Sequence, residues 1–358
     1  MNTDNALSKL IAMSKYAGQR FDLVQAGGGN TSVKEGDKMF IKASGYLLSE
    51  LTLENGYSIV DTQGVLSILE NPEILEIKDK REKDTMASIQ LQKTKTEVGP
   101  RPSIETYLHA LLYKYTLHVH SIAVNMLTSR MDWERVIGEI FPSALCVRYE
   151  TPGIELAVEL KNLMDDYKAE NGHLPNIIFL QNHGLIISSD RYEDIVILNE
   201  EVILAAEKAN SIDFSRFRNT TKIAQIYNEI FQKDIIAYLS EDQTIYKSLS
   251  HLNQSRNQRP FSPDGYVFCG YCILTITNLS KEEFNGYYTK YQEAPKVLIY
   301  NDLIYILAAD LKKAKMIEDV LKNNLIIESK LGQDLQFLEV EEIKYLGNWE
   351  AEKYRQKL

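Results

Sequence analysis

The sequence predicts an α/β protein in two parts, a larger layered unit over residues 1–222 and a smaller α/β extension over residues 223–358. Two observations carry this. Helical and strand periodicities alternate up to about residue 220, the strands being short runs rich in β-branched and aromatic residues that break at Gly and Ser corners. The character then changes: a polar, turn-rich stretch, HLNQSRNQRP, leads into a second and shorter set of strands and helices. The length of 358 residues also suits about two domains.

In order, MNTDNALSKLIAMSKYAG predicts an amphipathic helix, with Leu7, Leu10, Ile11 and Met13 on roughly one side. It has acidic and polar residues where a secretory leader would have a basic head and an apolar stretch. MFIKASGYLL and YSIVDTQGVLSIL read as short strands split by turns, the first passing through a Ser44-Gly45 corner. The stretch from Asn71 to Val98, rich in Lys and Glu and without apolar periodicity, reads as a surface excursion or a mobile loop. Arg101-Pro102-Ser103 opens a helix with Ser103 as its N-cap, and Leu108, Leu111, Leu112 and Tyr115 form its apolar stripe. TLHVHSIAVNML is a strand running into a helix. NIIFLQNHGLIISS is two strands around an Asn182-His183-Gly184 corner, and RYEDIVILNEEVILAAEKANSI is a long helix. In the second part YVFCGYCILTI, KVLIY and LIYILAA read as strands, DLKKAKMIEDVLKNNLIIESKL as a helix, and the end as a charged tail. There is no internal repeat.

Charge and composition exclude several roles. The net charge is −10, so the chain lacks the basic field that nucleic acid or an anionic membrane surface requires, although a local basic pocket for a small anion is compatible with it. No apolar run is long enough to span a bilayer. Three cysteines are too few for a disulfide framework, and the pair Cys269 and Cys272 reads as two core or strand residues. The expected compartment is the cytoplasm.

Three features could carry chemistry. In His118-Val119-His120 the two imidazoles alternate along a strand and share one face, which suits a divalent metal, and His183 at its corner can project toward a neighbouring strand end. Three neutral imidazoles with an open fourth position are a catalytic rather than a structural zinc arrangement. An H-x-H alone is more often a pair of satisfied core rings. Glu105 and His109, four apart, lie on one face of the helix that Ser103 opens, and the helix dipole favours the ionised carboxylate. A capping glutamate fits the same position. Gly27-Gly28-Gly29-Asn30-Thr31-Ser32-Val33-Lys34 could cradle an anion on its backbone N–H groups, with Lys34 adding charge, or it could simply be a turn. It matches neither a Walker loop nor a dinucleotide fingerprint.

Taken together and in this order, GGGNTSVK, IKASG, RPSIETYLH, HVHS and QNHG resemble the class II aldolase/adducin family over residues 6 to 215, and TPGIELA resembles a further segment of it. FSPDGYVFCG and LGNWEAEKYRQKL are similar to the aldolase module of fused rhamnulose-1-phosphate aldolase/alcohol dehydrogenase proteins; with the chain ending at Leu358, no dehydrogenase domain is expected.

The resemblance implies a class II aldolase-like three-layer fold, a central and mainly antiparallel sheet flanked by helices. It implies His118, His120 and His183 as ligands of one divalent metal per chain, usually Zn²⁺, with Glu105 as the catalytic acid/base. Gly29, Asn30, Ser44, Gly45 and Ser103 would line a pocket for the substrate's phosphate. Fuculose-type members often have two serines before the glutamate; here they are Ser103 and Ile104, which weakens the phosphate site. A homo-oligomer acting on a small sugar or sugar phosphate through an enediolate is expected. Epimerases, β-keto acid decarboxylases and dehydratases use the same site, and an adducin-like binding module uses the fold without catalysis.

Overall fold

The computed structural model of the chain describes residues 3–251 and 259–348. It divides into two compact units between Phe214 and Ser215. That division precedes a helix, Ser215–Phe231, which runs across position 222.

The first unit begins with α1 (Thr3–Gly18), β1 (Asn30–Glu35), β2 (Lys38–Lys42) and β3 (Tyr57–Asp61). Then come α2 (Thr62–Ile68), α3 (Pro72–Leu75), α4 (Lys80–Lys93), α5 (Thr106–Leu111) and β4 (Tyr115–Val119). It closes with α6 (Ile122–Thr128), α7 (Trp133–Ile140), β5 (Leu145–Val147), α8 (Ile154–Asn171), β6 (Ile177–Leu180), β7 (Gly184–Ser189) and α9 (Tyr192–Asn210). The seven strands form one sheet in the order β3-β2-β1-β4-β7-β6-β5. Every neighbouring pair is antiparallel except β5 with β6.

Period-two alternation sends side chains to two separate cores. Phe40, Leu117, Val119, Leu185 and Ile187 pack with α1, α6, α7 and α9 on one face. Met39, Ile41, Ile178 and Ile186 pack with α2, α4, α5 and α8 on the other. Helices on both faces of a mainly antiparallel sheet make the three layers that the sequence resemblance implies.

Three segments differ from the sequence reading. YSIVDTQGVLSIL is one strand and one helix rather than split strands: the Asp61 carboxylate accepts from the Gly64 N–H at 2.6 Å and starts α2. The stretch from Asn71 to Val98 is helical rather than an irregular loop. Asn71 caps α3 and Asp79 caps α4, and α4 buries only Ala87 and Leu91, so its sequence carries almost no apolar stripe. In the second unit the start of YVFCGYCILTI is helical, because Ser262 caps and Pro263 opens a helix ending at Cys269.

The second unit comprises α10 (Ser215–Phe231), β8 (Ile236–Leu239), α11 (Gln243–His251), α12 (Pro263–Cys269), β9 (Leu274–Ile276), α13 (Lys281–Tyr291), β10 (Val297–Tyr300), β11 (Leu303–Ala308), α14 (Leu311–Leu331) and α15 (Val340–Asn348). Its four strands are ordered β8-β11-β10-β9 around a core of its own that includes Val297, Ile299, Ile304, Ile306 and residues of α14. Cys269 and Cys272 are buried free thiols. Most of HLNQSRNQRP and the end of the charged tail lie outside the described residues. Among the described residues no helix is long and apolar enough to cross a membrane.

Candidate metal centre

The site is built on β4, the central strand of the seven. Asn30 on β1 and Ile186 on β7 lie directly opposite His118. Opposite residues share a sheet face, here the one that packs against α5. The strand gives way just after Val119, and His120 follows it on the way into α6, whose N-cap is Ser121. His183 comes from the tight corner between β6 and β7, where Asn182 takes a left-handed conformation (φ 55°). Gly184 is sterically required at that corner: a Cβ there would lie 2.3 Å from the Val119 carbonyl oxygen.

Glu105 lies one residue before α5 rather than within it. The helix proper starts at Thr106, so Ser103 is not its N-cap. Ser103 instead closes the preceding turn, its Oγ accepting from the Glu105 N–H at 3.2 Å. The turn aims the Glu105 carboxylate inward. Oε1 lies 3.3 Å from His118 Nε2 and 3.2 Å from His183 Nε2. His120 Nε2 is 3.1 Å from His118 Nε2. The ligand atoms of all four side chains lie within 4.8 Å of one another, and among the described residues this is the one His/Cys/Asp/Glu group that could hold a metal ion.

The tautomer of His118 follows from its other nitrogen. Nδ1 lies 3.0 Å from the Leu185 carbonyl oxygen, which can only accept, so Nδ1 carries the hydrogen and Nε2 turns a lone pair into the site. His120 Nε2 faces that lone pair at 3.1 Å, a spacing at which the two nitrogens share a proton or a cation. Three imidazoles and a carboxylate around one point are a donor set that suits a divalent transition metal.

The charges are coupled. Burial alone would raise the Glu105 carboxyl, but the His118 and His183 rings outweigh it and hold the group well below the usual carboxylate range. Burial would lower His118, and the Glu105 carboxylate reverses this and raises it. For His120, burial and then repulsion from the other two rings act together and push it down to about 3. Glu105 is therefore ionised and at least one imidazole is neutral.

The glycine-rich turn lies against the back of this group. A Cβ on Gly28 would be 2.7 Å from His120 Nδ1, and one on Gly29 (φ 73°) would be 2.9 Å from the His118 carbonyl oxygen. Asn30 is buried; its Oδ1 accepts from the Thr31 N–H at 2.9 Å, and its Nδ2 has no protein partner. Ser44 and Gly45 lie on an exposed corner. The Ser44 N–H donates to the Arg101 carbonyl at 2.8 Å and Ala43 bridges Pro102, which ties this corner to the loop carrying Ser103 and Glu105.

Lys34 is placed differently from the sequence reading. Its ammonium donates to the Ala110 carbonyl at 2.9 Å and to the Leu112 carbonyl, closing the C-terminal end of α5 instead of facing an anion. One residue lies outside that reading. Lys42, 4% exposed, donates to the Gly27 carbonyl at 3.2 Å. Burial lowers its pKa against the opposing pull of Glu105 and Glu50. A lysine inside an otherwise buried strand was the available clue. His109 is fully buried, with Nδ1 2.7 Å from Ser32 Oγ and Nε2 without a protein partner.

The model of the Class II Aldolase and Adducin N-terminal domain matches residues 8–209, more than half the chain and nearly all of the first unit. The chain belongs to this family. A relative in Bacillus subtilis, described as the uncharacterized oxidoreductase YuxG, is 25% identical over 215 residues. The match covers 56% of this chain but only 29% of that protein, so this chain spans less than a third of its relative's length. Among solved structures, the N-terminal class II aldolase domain of a conserved protein from Thermoplasma acidophilum is 27% identical, with a TM-score of 0.49 over 58% of this chain and 95% of that one. An L-fuculose 1-phosphate aldolase is 18% identical, with a TM-score of 0.41 over 65% of this chain and 99% of that one. In this class II aldolase/adducin chain, the second unit lies outside the matched residues.

Proposed function

We propose that this class II aldolase/adducin family member is a metal-dependent carbon–carbon lyase that cleaves a small ketose or ketose phosphate through an enediolate. The observation that carries this is the Glu105 carboxylate oxygen at 3.2–3.3 Å from two of three convergent imidazoles. A divalent cation bound there, with Zn²⁺ expected, would supply Lewis acidity to the substrate's carbonyl and hydroxyl oxygens. His118, His120 and His183 are the residues to hold it, and the Leu185 carbonyl keeps His118 in the tautomer this needs.

Glu105 is the group to move the proton. It is ionised in the free protein and so has a vacant site for a proton from a substrate hydroxyl as the carbon–carbon bond breaks, and it returns one afterwards. Anchoring falls to the turn behind the histidines. The buried Asn30 amide nitrogen has no protein acceptor, and the Lys42 ammonium, held on the Gly27 carbonyl, keeps further N–H donors; both support a substrate bearing an anionic group such as phosphate. Ser44, Gly45 and Ser103 would complete that seat.

The experiment screens ketose phosphates and their unphosphorylated analogues with metal-loaded protein, reading products by mass. Wild type should hold about one divalent ion per chain and yield two carbon fragments. His183→Ala should lower the metal content, and Glu105→Gln should lower turnover by roughly 10²–10⁴-fold while staying folded. A product of unchanged carbon count would make it an epimerase or dehydratase on the same residues. Full turnover by Glu105→Gln would end the proton-transfer role.

A further inference from the structure

The first unit has a second cavity, of about 510 Å³, that the metal centre does not use. It is walled by Asp84, Thr85, Ser88 and Ile89 of α4, by Arg101, Pro102 and Ile104 of the loop before Glu105, and by the Pro152-Gly153 corner before α8. It is held in shape from several sides. The Lys83 ammonium pairs with Glu155 at 2.8 Å, fastening α4 to α8. Arg101 donates to Ser88 Oγ at 2.5 Å, fastening the loop to α4. Gly153 takes φ 124°, and a Cβ there would be 3.0 Å from Asp84 Oδ1. Tyr107, 3% exposed, presents one wall from α5.

The lining has a recognisable chemistry. It sets one carboxylate (Asp84) and one guanidinium (Arg101) among the hydroxyls of Thr85, Ser88 and Tyr107. Beside them are apolar surfaces from Ile89 and Ile104, each 47% exposed, and from Pro102 and Pro152. Hydroxyl groups use paired acceptors and donors of this kind, while a sugar ring's C–H face needs an apolar wall. A single phosphate or carboxylate would meet the opposing Asp84 charge. The volume falls in the range of small-molecule sites, about 300–1,000 Å³.

We propose that this cavity is a second ligand site, separate from the metal centre, that takes a neutral monosaccharide-sized polyol. Its position gives it leverage. The Arg101 carbonyl that accepts from the Ser44 N–H, and the Pro102 that bridges Ala43, belong to the same loop whose other side chains line the cavity. A sugar seated on Arg101 and Ile104 therefore bears on the segment that ends at Glu105.

The test is ligand-observed NMR of the full, metal-loaded chain with a panel of neutral aldoses, ketoses and alditols. Ile89→Trp fills the cavity from an exposed helix face, and Arg101→Leu removes its cationic donor; neither residue belongs to the metal centre. Each should weaken binding of a responding sugar by about tenfold or more, since a hydrogen bond to a charged group is lost or its space is filled. His183→Ala, which disables the metal centre, should leave that binding unchanged. Binding that survives Ile89→Trp and Arg101→Leu but disappears in His183→Ala would place the sugar at the metal centre and overturn the second site. The absence of any responding sugar in the wild type would also overturn it, whatever the outcome at the metal centre.

Discussion

Gly28→Ala is the sharpest test of how the metal centre is supported. The added Cβ would lie 2.7 Å from His120 Nδ1 and 3.2 Å from His120 Cε1. Ordinary contact begins near 3.4 Å, so the ring must retreat by about 0.7 Å (3.4 minus 2.7) or turn away. The Gln25 carbonyl oxygen at 3.1 Å closes the other escape, because the new methyl cannot back away from the ring. Metal–nitrogen distances tolerate about 0.2 Å, so the displacement should cost His120 as a ligand and lower metal affinity by roughly 10–100-fold. Gly27→Ala is the matched control. It adds the same methyl one residue earlier, where nothing lies within 4 Å. It should be neutral or stabilising by about 0.4–1 kcal/mol through the unfolded chain. Competition with a chromophoric chelator measures affinity, and thermal unfolding of both metal-free variants checks folding. If Gly28→Ala holds metal as tightly as Gly27→Ala, the packing of the turn against His120 is not what holds the ring in place.

Three further outcomes are expected. Lys34→Met removes an ammonium donating to two carbonyls at the end of α5, so urea unfolding should show a loss of about 1.5–3 kcal/mol with metal affinity retained; undiminished stability would contradict the capping role. Lys42→Met should raise KM for a phosphorylated substrate about tenfold more than for its unphosphorylated analogue, and equal effects on both would remove Lys42 from anion recognition. His109 is held neutral by burial down to about pH 3, whereas in the unfolded chain it takes up a proton near pH 6.5, so the unfolded state binds more protons in between and stability falls as pH drops through that window. Between pH 7.5 and 5 the wild type should therefore lose about 2 kcal/mol more than His109→Asn, and parallel losses would show that His109 charges in the folded protein.

The parts of the site that were legible in the sequence depend on the shortest rules. Strand alternation alone puts His118 and His120 on one side of β4, and a three-residue corner puts His183 at a strand end. Glu105 was placed close to its position but in the wrong frame, because Ser103 caps a single turn that precedes the regular helix and mimics a helix N-cap in sequence. The stripe of α4 is nearly invisible, because it exposes its lysines and glutamates and buries two residues, whereas α2 is only seven residues long and its apolar run, with Val65 and Ile68 buried, fits a strand equally well. Their caps, Asp61 before Gly64 and Asp79 before Glu82, were nonetheless written in the sequence. The sequence marks Lys34 and Lys42 as lysines in strands but does not say where their ammonium groups go. Both lie in short strands beside glycine turns, and only tertiary packing sends one to a helix end and the other toward the site.

The register of β4 has a consequence for how the centre comes into being. His118 pairs with Asn30 on one side and Ile186 on the other, so its place depends on partners far away in the chain in both directions. Such pairings close long loops and form late and slowly during folding. A slip of one residue on either side would turn His118 into the opposite core, among Leu117 and Val119's neighbours on α1 and α9. An ion taken up by these side chains would therefore find no half-made nest while the polypeptide is still collapsing. It would join a finished sheet, and newly synthesised chains should pass through a folded, metal-free stage whose lifetime is set by metal supply rather than by folding speed.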